Sequence, residues 1–169
     1  MPKSKRGRGQ STPLDWYLAA IDDAFEKRSW HGPNLKGSLR GVTREQALWR
    51  PNRGRKNIWE IMLHAAYWKY TVGRRLLREK RGSFPLEGSN WFPRDAESPD
   101  QQWREEKRLL DSIHRSTRHA VENLRDADLS KPIDDGKLTY DELLRGIAFH
   151  DVYHAGQIQT LKKCQTTSE

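Results

Sequence analysis

Residues Leu143 to Leu161 read LLRGIAFHDVYHAGQIQTL. Apolar side chains recur every three or four positions, at Leu143, Leu144, Ile147, Ile158 and Leu161. That period predicts a helix with one inward face. Thr139 followed by Glu142 forms a capping box that opens it after an Asp134-Asp135-Gly136 turn, and it should run to about Lys163. Two members of the inward stripe are anomalous. His150 and His154 stand where the pattern asks for aliphatic residues. Four apart on a helix, they lie one turn above the other, with Cβ atoms about 6 Å apart, and can converge on one ion.

Working outward, the same period recurs in three other segments. A helix from about Asn57 to Lys80 has the stripe Ile58, Ile61, Met62, Ala65, Trp68, Val72 and Leu76, with His64 on its inner half beside Ile61, Ala65 and Trp68. Thr12-Pro13 is a good cap and first-turn pair for a helix carrying Leu14, Tyr17, Leu18, Ile21, Ala24 and Phe25 and ending near Trp30, where His31-Gly32-Pro33 stops it. A third helix should start at Pro99 or Asp100, with the stripe Trp103, Leu110, Ile113, Thr117, Ala120, Val121 and Leu124. Two short helical pieces fit between Asn34 and Pro51, the second opened by Thr43 with Gln46. Arg81 to Ser98 carries Gly82, Pro85, Gly88 and Pro93, so it cannot be regular, and its Phe84, Trp91 and Phe92 should pack down on the helices. No β-rich alternation or repeat is visible. The expected fold is all-α: a four-helix bundle with a long crossover loop between helices 2 and 3.

Composition sets the outer limits. At 169 residues the chain suits one domain, expected over 12–165, between a disordered basic arm (1–11) and a short tail (166–169). Apolar residues make up 34%, charged residues 32%, and mean hydropathy is −1.00. No apolar run of 18 residues exists and the N-terminus lacks an apolar core region, so neither a membrane span nor a secretory signal is expected. The single cysteine, Cys164, excludes a disulfide framework and a multi-cysteine zinc ribbon, and a reducing cytoplasm fits it best. Half of the +8 net charge sits on Lys3, Lys5, Arg6 and Arg8. That arm reads as a solvated tail, with nucleic acid not an expected partner. Contact with nucleic acid or anionic lipid through counterion release is the alternative.

Burying three imidazoles without partners costs about 1–3 kcal/mol for each unpaired nitrogen. A divalent ion removes that cost, and neutral histidine is its commonest side-chain ligand. Each histidine could instead be satisfied singly by a backbone partner. His31 reads as a loop or cap residue, and His114 and His119, without paired spacing, receive no role.

The segments Ile58 to Trp68 (IWEIMLHAAYW) and Gly146 to Ile158 (GIAFHDVYHAGQI), together with the junction Ser29-Trp30-His31-Gly32-Pro33, resemble the DinB/YfiT-like superfamily of bacterial metal-binding helical bundles. The resemblance covers nearly the whole chain after the basic arm. It implies that His64, His150 and His154 bind one divalent metal, with zinc, nickel, iron(II) and manganese all compatible. Such a set leaves at least one position open for water or substrate. Glu60, one turn before His64, is a candidate general base or carboxylate behind the ligands. Asp151 and Gln157 are candidates to orient imidazole N–H groups. Tyr67, Trp68 and Tyr153 are candidates to line a pocket. Some members of the superfamily are thiol S-transferases or isomerases using bacillithiol, mycothiol or glutathione, so the resemblance implies a metal-dependent transferase acting on a small-molecule thiol and an electrophile. Similar proteins also form homodimers. A metal-dependent hydrolase and a non-catalytic, stress-related metal-binding protein remain the alternatives.

Overall fold

Local capping signals place most helix starts. The computed structural model describes residues 11–80, 82, 84–134 and 136–166, so residues 1–10 of the basic arm and the end of the tail lie outside it. Helix α1 (Pro13–Phe25) begins at Thr12, whose hydroxyl accepts from the Asp15 N–H while the Asp15 carboxylate accepts from the Thr12 N–H. It stops at Phe25, short of the expected Trp30. The Glu26 and Lys27 N–H groups both turn back to the Asp22 carbonyl, and Asn34 Nδ2 donates to the Lys27 carbonyl. The Glu26 bond is the last of the helical pattern; the Lys27 N–H reaches five residues back instead of four, and the Lys27 carbonyl goes to Asn34, so the pattern stops there. Asn34 then caps α2 (Leu35–Ser38), and the Thr43/Gln46 box starts α3 (Arg44–Leu48).

Asn57 caps α4 (Ile58–Leu76), which ends before Lys80 because Arg78 takes a left-handed conformation, φ 56°. Helix α5 spans Asp100–Glu122, and a 3-10 turn follows at Asp126–Asp128. Next comes a hairpin absent from the sequence reading: β1 (Pro132–Ile133) pairs antiparallel with β2 (Leu138–Thr139). Two-residue strands are too short to show alternation. Asp134 (φ 52°) and Gly136 (φ 77°) turn the chain there, and Asp135 lies outside the described residues. Thr139 and Glu142 exchange hydrogen bonds as α6 (Tyr140–Thr166) begins.

The protein is mostly helical. Helix α4 packs against α5 and α6, and α1 against the same two. One buried cluster gathers Trp59, Met62, Leu63, Trp103 and Ile158; another gathers Ile21, Val72, Val121, Leu144 and Ile147. Each such side chain contributes about 1.5–3 kcal/mol by leaving water. Gly73 lets α4 and α5 approach closely, since a Cβ there would stand 3.2 Å from Thr117 Oγ1 and 3.4 Å from its Cα. None of the described helices is long and apolar enough to cross a membrane.

The segment between α4 and α5 is held down at several points. Phe84 and Phe92 are buried against Tyr67. Arg94 donates to both oxygens of buried Glu106, which also accepts from Trp59 Nε1. This anchoring sets Asn90 and Trp91 over the end of α4 that carries His64.

Candidate metal centre

Helix α4 supplies His64, and α6 supplies His150 and His154 one turn apart. Packing of α4 on α6 brings their Nε2 atoms to one point. His150 Nε2 lies 3.2 Å from His64 Nε2 and 3.0 Å from His154 Nε2. Tetrahedral coordination with bonds of about 2.05 Å spaces imidazole nitrogens about 3.3 Å apart. The observed separations are close to that value.

The outer ring nitrogens fix which atoms face inward. His64 Nδ1–H donates to the Asn90 carbonyl at 2.9 Å, and His154 Nδ1–H donates to Gln157 Oε1 at 2.7 Å. Both Nε2 atoms therefore present lone pairs to the centre. His150 sits between them, and its Nδ1 is buried without a partner. If its proton is on Nδ1, three lone pairs converge with nothing between them. With the proton on Nε2, it serves only one neighbour and leaves Nδ1 as a buried, unpaired acceptor. A cation resolves the first arrangement. Burial also keeps the rings neutral. It lowers the pKa of His64, partly opposed by the Asn90 hydrogen bond. Burial, reinforced by His154 and His64, pushes His150 down to about 3, and burial pushes His154 down to about 4 despite its bond to Gln157. At neutral pH no proton competes for these lone pairs. The set can hold a metal ion.

The other expected site residues divide sharply. Gln157 reaches the centre: besides accepting from His154, its Nε2 donates to the Tyr153 hydroxyl at 3.0 Å. Tyr153 and Trp68 stand edge-on to His154 and His150 respectively, and Trp68 Nε1 donates to Asn90 Oδ1. Trp91 stacks on His64, with centroids 3.9 Å apart. Tyr67, only partly buried, packs instead against Phe84 and Phe92 of the core. Glu60 is buried and spent on structure. Both its oxygens accept from Arg50 at 2.8 Å, and its backbone partners are the Asn57 and Arg94 N–H groups. Burial alone would raise its pKa, but Arg50 overcomes this and holds it below the usual carboxylate range. Glu60 is thus committed as a brace between loops rather than presented as a free base.

Asp151 does not hydrogen-bond to any imidazole. It is fully buried, with Oδ2 2.5 Å from the equally buried Lys69 Nζ. Burial raises its pKa to about 6, against the lowering effect of Lys69. Lys69 Nζ also approaches His114 Nδ1 at 3.3 Å, and His114 Nε2 lies 3.7 Å from Asp22. Lys27 and Arg118 pair with Asp22. A chain of buried polar groups therefore runs from Asp151, next to His150 in sequence, through Lys69 and His114 to Asp22. The sequence reading gave Lys69 and His114 no role. The signal was nevertheless present: Lys69 is four residues beyond Ala65 and His114 four beyond Leu110, both on apolar stripes.

Among the described residues no carboxylate or thiol joins the trio as a fourth ligand. An ion held by these three histidines alone would keep a position for water or substrate, as catalytic metal sites do. A cavity of about 790 Å³ adjoins the site, with Trp91, Tyr153 and Gln157 shared between its wall and the histidines' surroundings.

No curated protein and no solved structure matches the chain at a significant level. The family model of the DinB superfamily matches residues 29–158, a span that contains the three histidines and every element from the Ser29 junction to Ile158 on α6. On this match and the helical, three-histidine architecture, the chain belongs to the DinB superfamily.

Proposed function

We propose that this protein is a divalent-metal enzyme that transfers a low-molecular-weight thiol, of the bacillithiol, mycothiol or glutathione type, to an electrophile. Helices α1, α4, α5 and α6 are read as the four members of its bundle, with residues 77–99 as the crossover. The observation that carries the reading is the convergence of three neutral imidazoles beside an open cavity, with His150 Nε2 3.2 Å from His64 Nε2 and 3.0 Å from His154 Nε2. Three neutral ligands leave a divalent ion its full charge, and when bound it would lower the pKa of a thiol entering the open position.

The reaction is R–SH + R′–X → R–S–R′ + HX. The S–H proton leaves, a sulfur–carbon bond forms, and X departs with the electron pair of its bond and takes up a proton. In this reading His64, His150 and His154 hold the ion. Asn90 O and Gln157 Oε1 fix the ring orientations of His64 and His154. Trp91 shields the outer face of His64 from water.

Metal analysis of the purified protein and of His64→Ala, His150→Ala and His154→Ala tests the ligand set; each variant should lose stoichiometric metal. Calorimetry with the three thiols, and their conjugation to monochlorobimane, tests the reaction. Metal retained with no saturable thiol binding and no conjugation would refute the transferase reading and leave a non-catalytic metal-binding protein.

A further inference from the structure

The cavity beside the histidines is asymmetric in a way the metal reading does not require. Ile61, Trp91 and Leu161 give it an apolar wall, while Arg55 and Lys56 stand at its rim. No acidic side chain is among the described residues lining it. Neither Arg55 nor Lys56 is ion-paired with a described carboxylate, and Lys56 Nζ sits over the Trp91 ring, 5.0 Å from its centroid. Two cations that make no ion-pair contact with a described carboxylate, set beside an apolar wall, form a site for negative charge attached to an apolar body.

Gly156 shapes the wall of this cavity. It lines the same cavity from within the 27-residue helix α6. A Cβ built on it meets nothing within 4 Å. No neighbouring atom of the fold therefore demands a glycine there, although glycine weakens a helix interior. Its missing side chain leaves the cavity wall clear between Tyr153 and Thr160.

We propose that this cavity binds a small amphipathic anion: the apolar body lies along Ile61, Trp91, Gly156 and Leu161, and Arg55 and Lys56 take its carboxylate or phosphate. The inference names the substrate class of the same site and rests on the metal reading only for the end of the ligand that reaches the histidines. The anion end can be tested without metal, so the two can fail separately.

The experiment uses the full chain, with and without EDTA, and follows displacement of anilinonaphthalene sulfonate by octanoate, octyl phosphate, octanol and octyltrimethylammonium. Both anions should bind at least tenfold more tightly than octanol or the ammonium. Arg55→Ala/Lys56→Ala should remove that advantage while leaving octanol unchanged. The variant Gly156→Leu, its fold checked by circular dichroism, should weaken all four ligands at least tenfold. The ratio of octanoate to octyl phosphate affinity tells which anionic group the rim prefers. Equal binding of octanol and the anions, an anion preference that survives Arg55→Ala/Lys56→Ala, or no effect of Gly156→Leu would overturn the proposal. An unchanged ranking in a protein that binds no zinc would refute the metal reading and leave this site standing.

Discussion

Replacing Lys69 with methionine probes the buried polar chain that links Asp151 to Asp22. Lys69 and Asp151 are both fully buried, with Nζ and Oδ2 2.5 Å apart. Removing the cation leaves a carboxylate in the core with no opposite charge, which costs about 3–5 kcal/mol in comparable buried pairs. The loss should depend on pH. In the wild type, burial sets the folded pKa of Asp151 near 6, above its ordinary value of 3.8. The folded state therefore takes up a proton between those values, and the stability associated with it is lost as pH rises through 6. Over that span the loss is about 3 kcal/mol, at about 1.4 kcal/mol per pH unit. Lys69→Met removes the one lowering influence, so the folded pKa climbs and the loss extends to higher pH. Urea unfolding with EDTA at pH 5, 6, 7 and 8 should show Lys69→Met less stable than wild type by about 3–5 kcal/mol at pH 7, with a smaller gap at pH 5. The double variant Lys69→Met/Asp151→Leu should recover at least about 2 kcal/mol, because an apolar pair replaces an ion pair at little net cost. A loss under about 1 kcal/mol for Lys69→Met at pH 7, or no recovery in the double variant, would refute the assignment of this pair as a coupled buried unit.

Gln157→Leu removes the acceptor that orients His154 and should weaken zinc affinity about 10–100-fold in a competition titration, with little change in thermal stability. Burial holds His114 neutral down to about pH 3, whereas its unfolded form protonates near 6.5. Its contribution therefore declines as pH falls from 6.5 towards 3, by up to about 1.4 kcal/mol per pH unit, and His114→Phe should flatten the acid limb of the stability profile by one proton's worth. Gly73→Val places side-chain atoms against Thr117 and should cost about 1–3 kcal/mol, read as a lower urea midpoint; an unchanged midpoint would show that α4 and α5 can separate freely.

Helix identity was legible because it is local. Thr12, Thr43, Asn57 and Thr139 cap the helices they precede through bonds spanning three residues, and such bonds need no tertiary partner. The ends were less legible. Helix α1 stops at Phe25 because Asn34, nine residues on, captures the Lys27 carbonyl, and the hairpin after α5 is too short to leave a periodic trace.

The pairing of His150 with His154 follows from spacing on one helix, so the sequence alone determined it. That His64 meets them is different, since it depends on how α4 rotates and packs against α6. The fate of the carboxylates was decided by tertiary structure as well. Glu60 and Asp151 sit beside the ligands in sequence, yet Arg50 draws one into a loop brace and Lys69 draws the other into the core. Lys69 and His114 lay on readable stripes, but a stripe shows only that a side chain faces inward. Which charge it meets there is set by residues tens of positions away, because electrostatic pairing acts through space, whereas periodicity records order along a single helix.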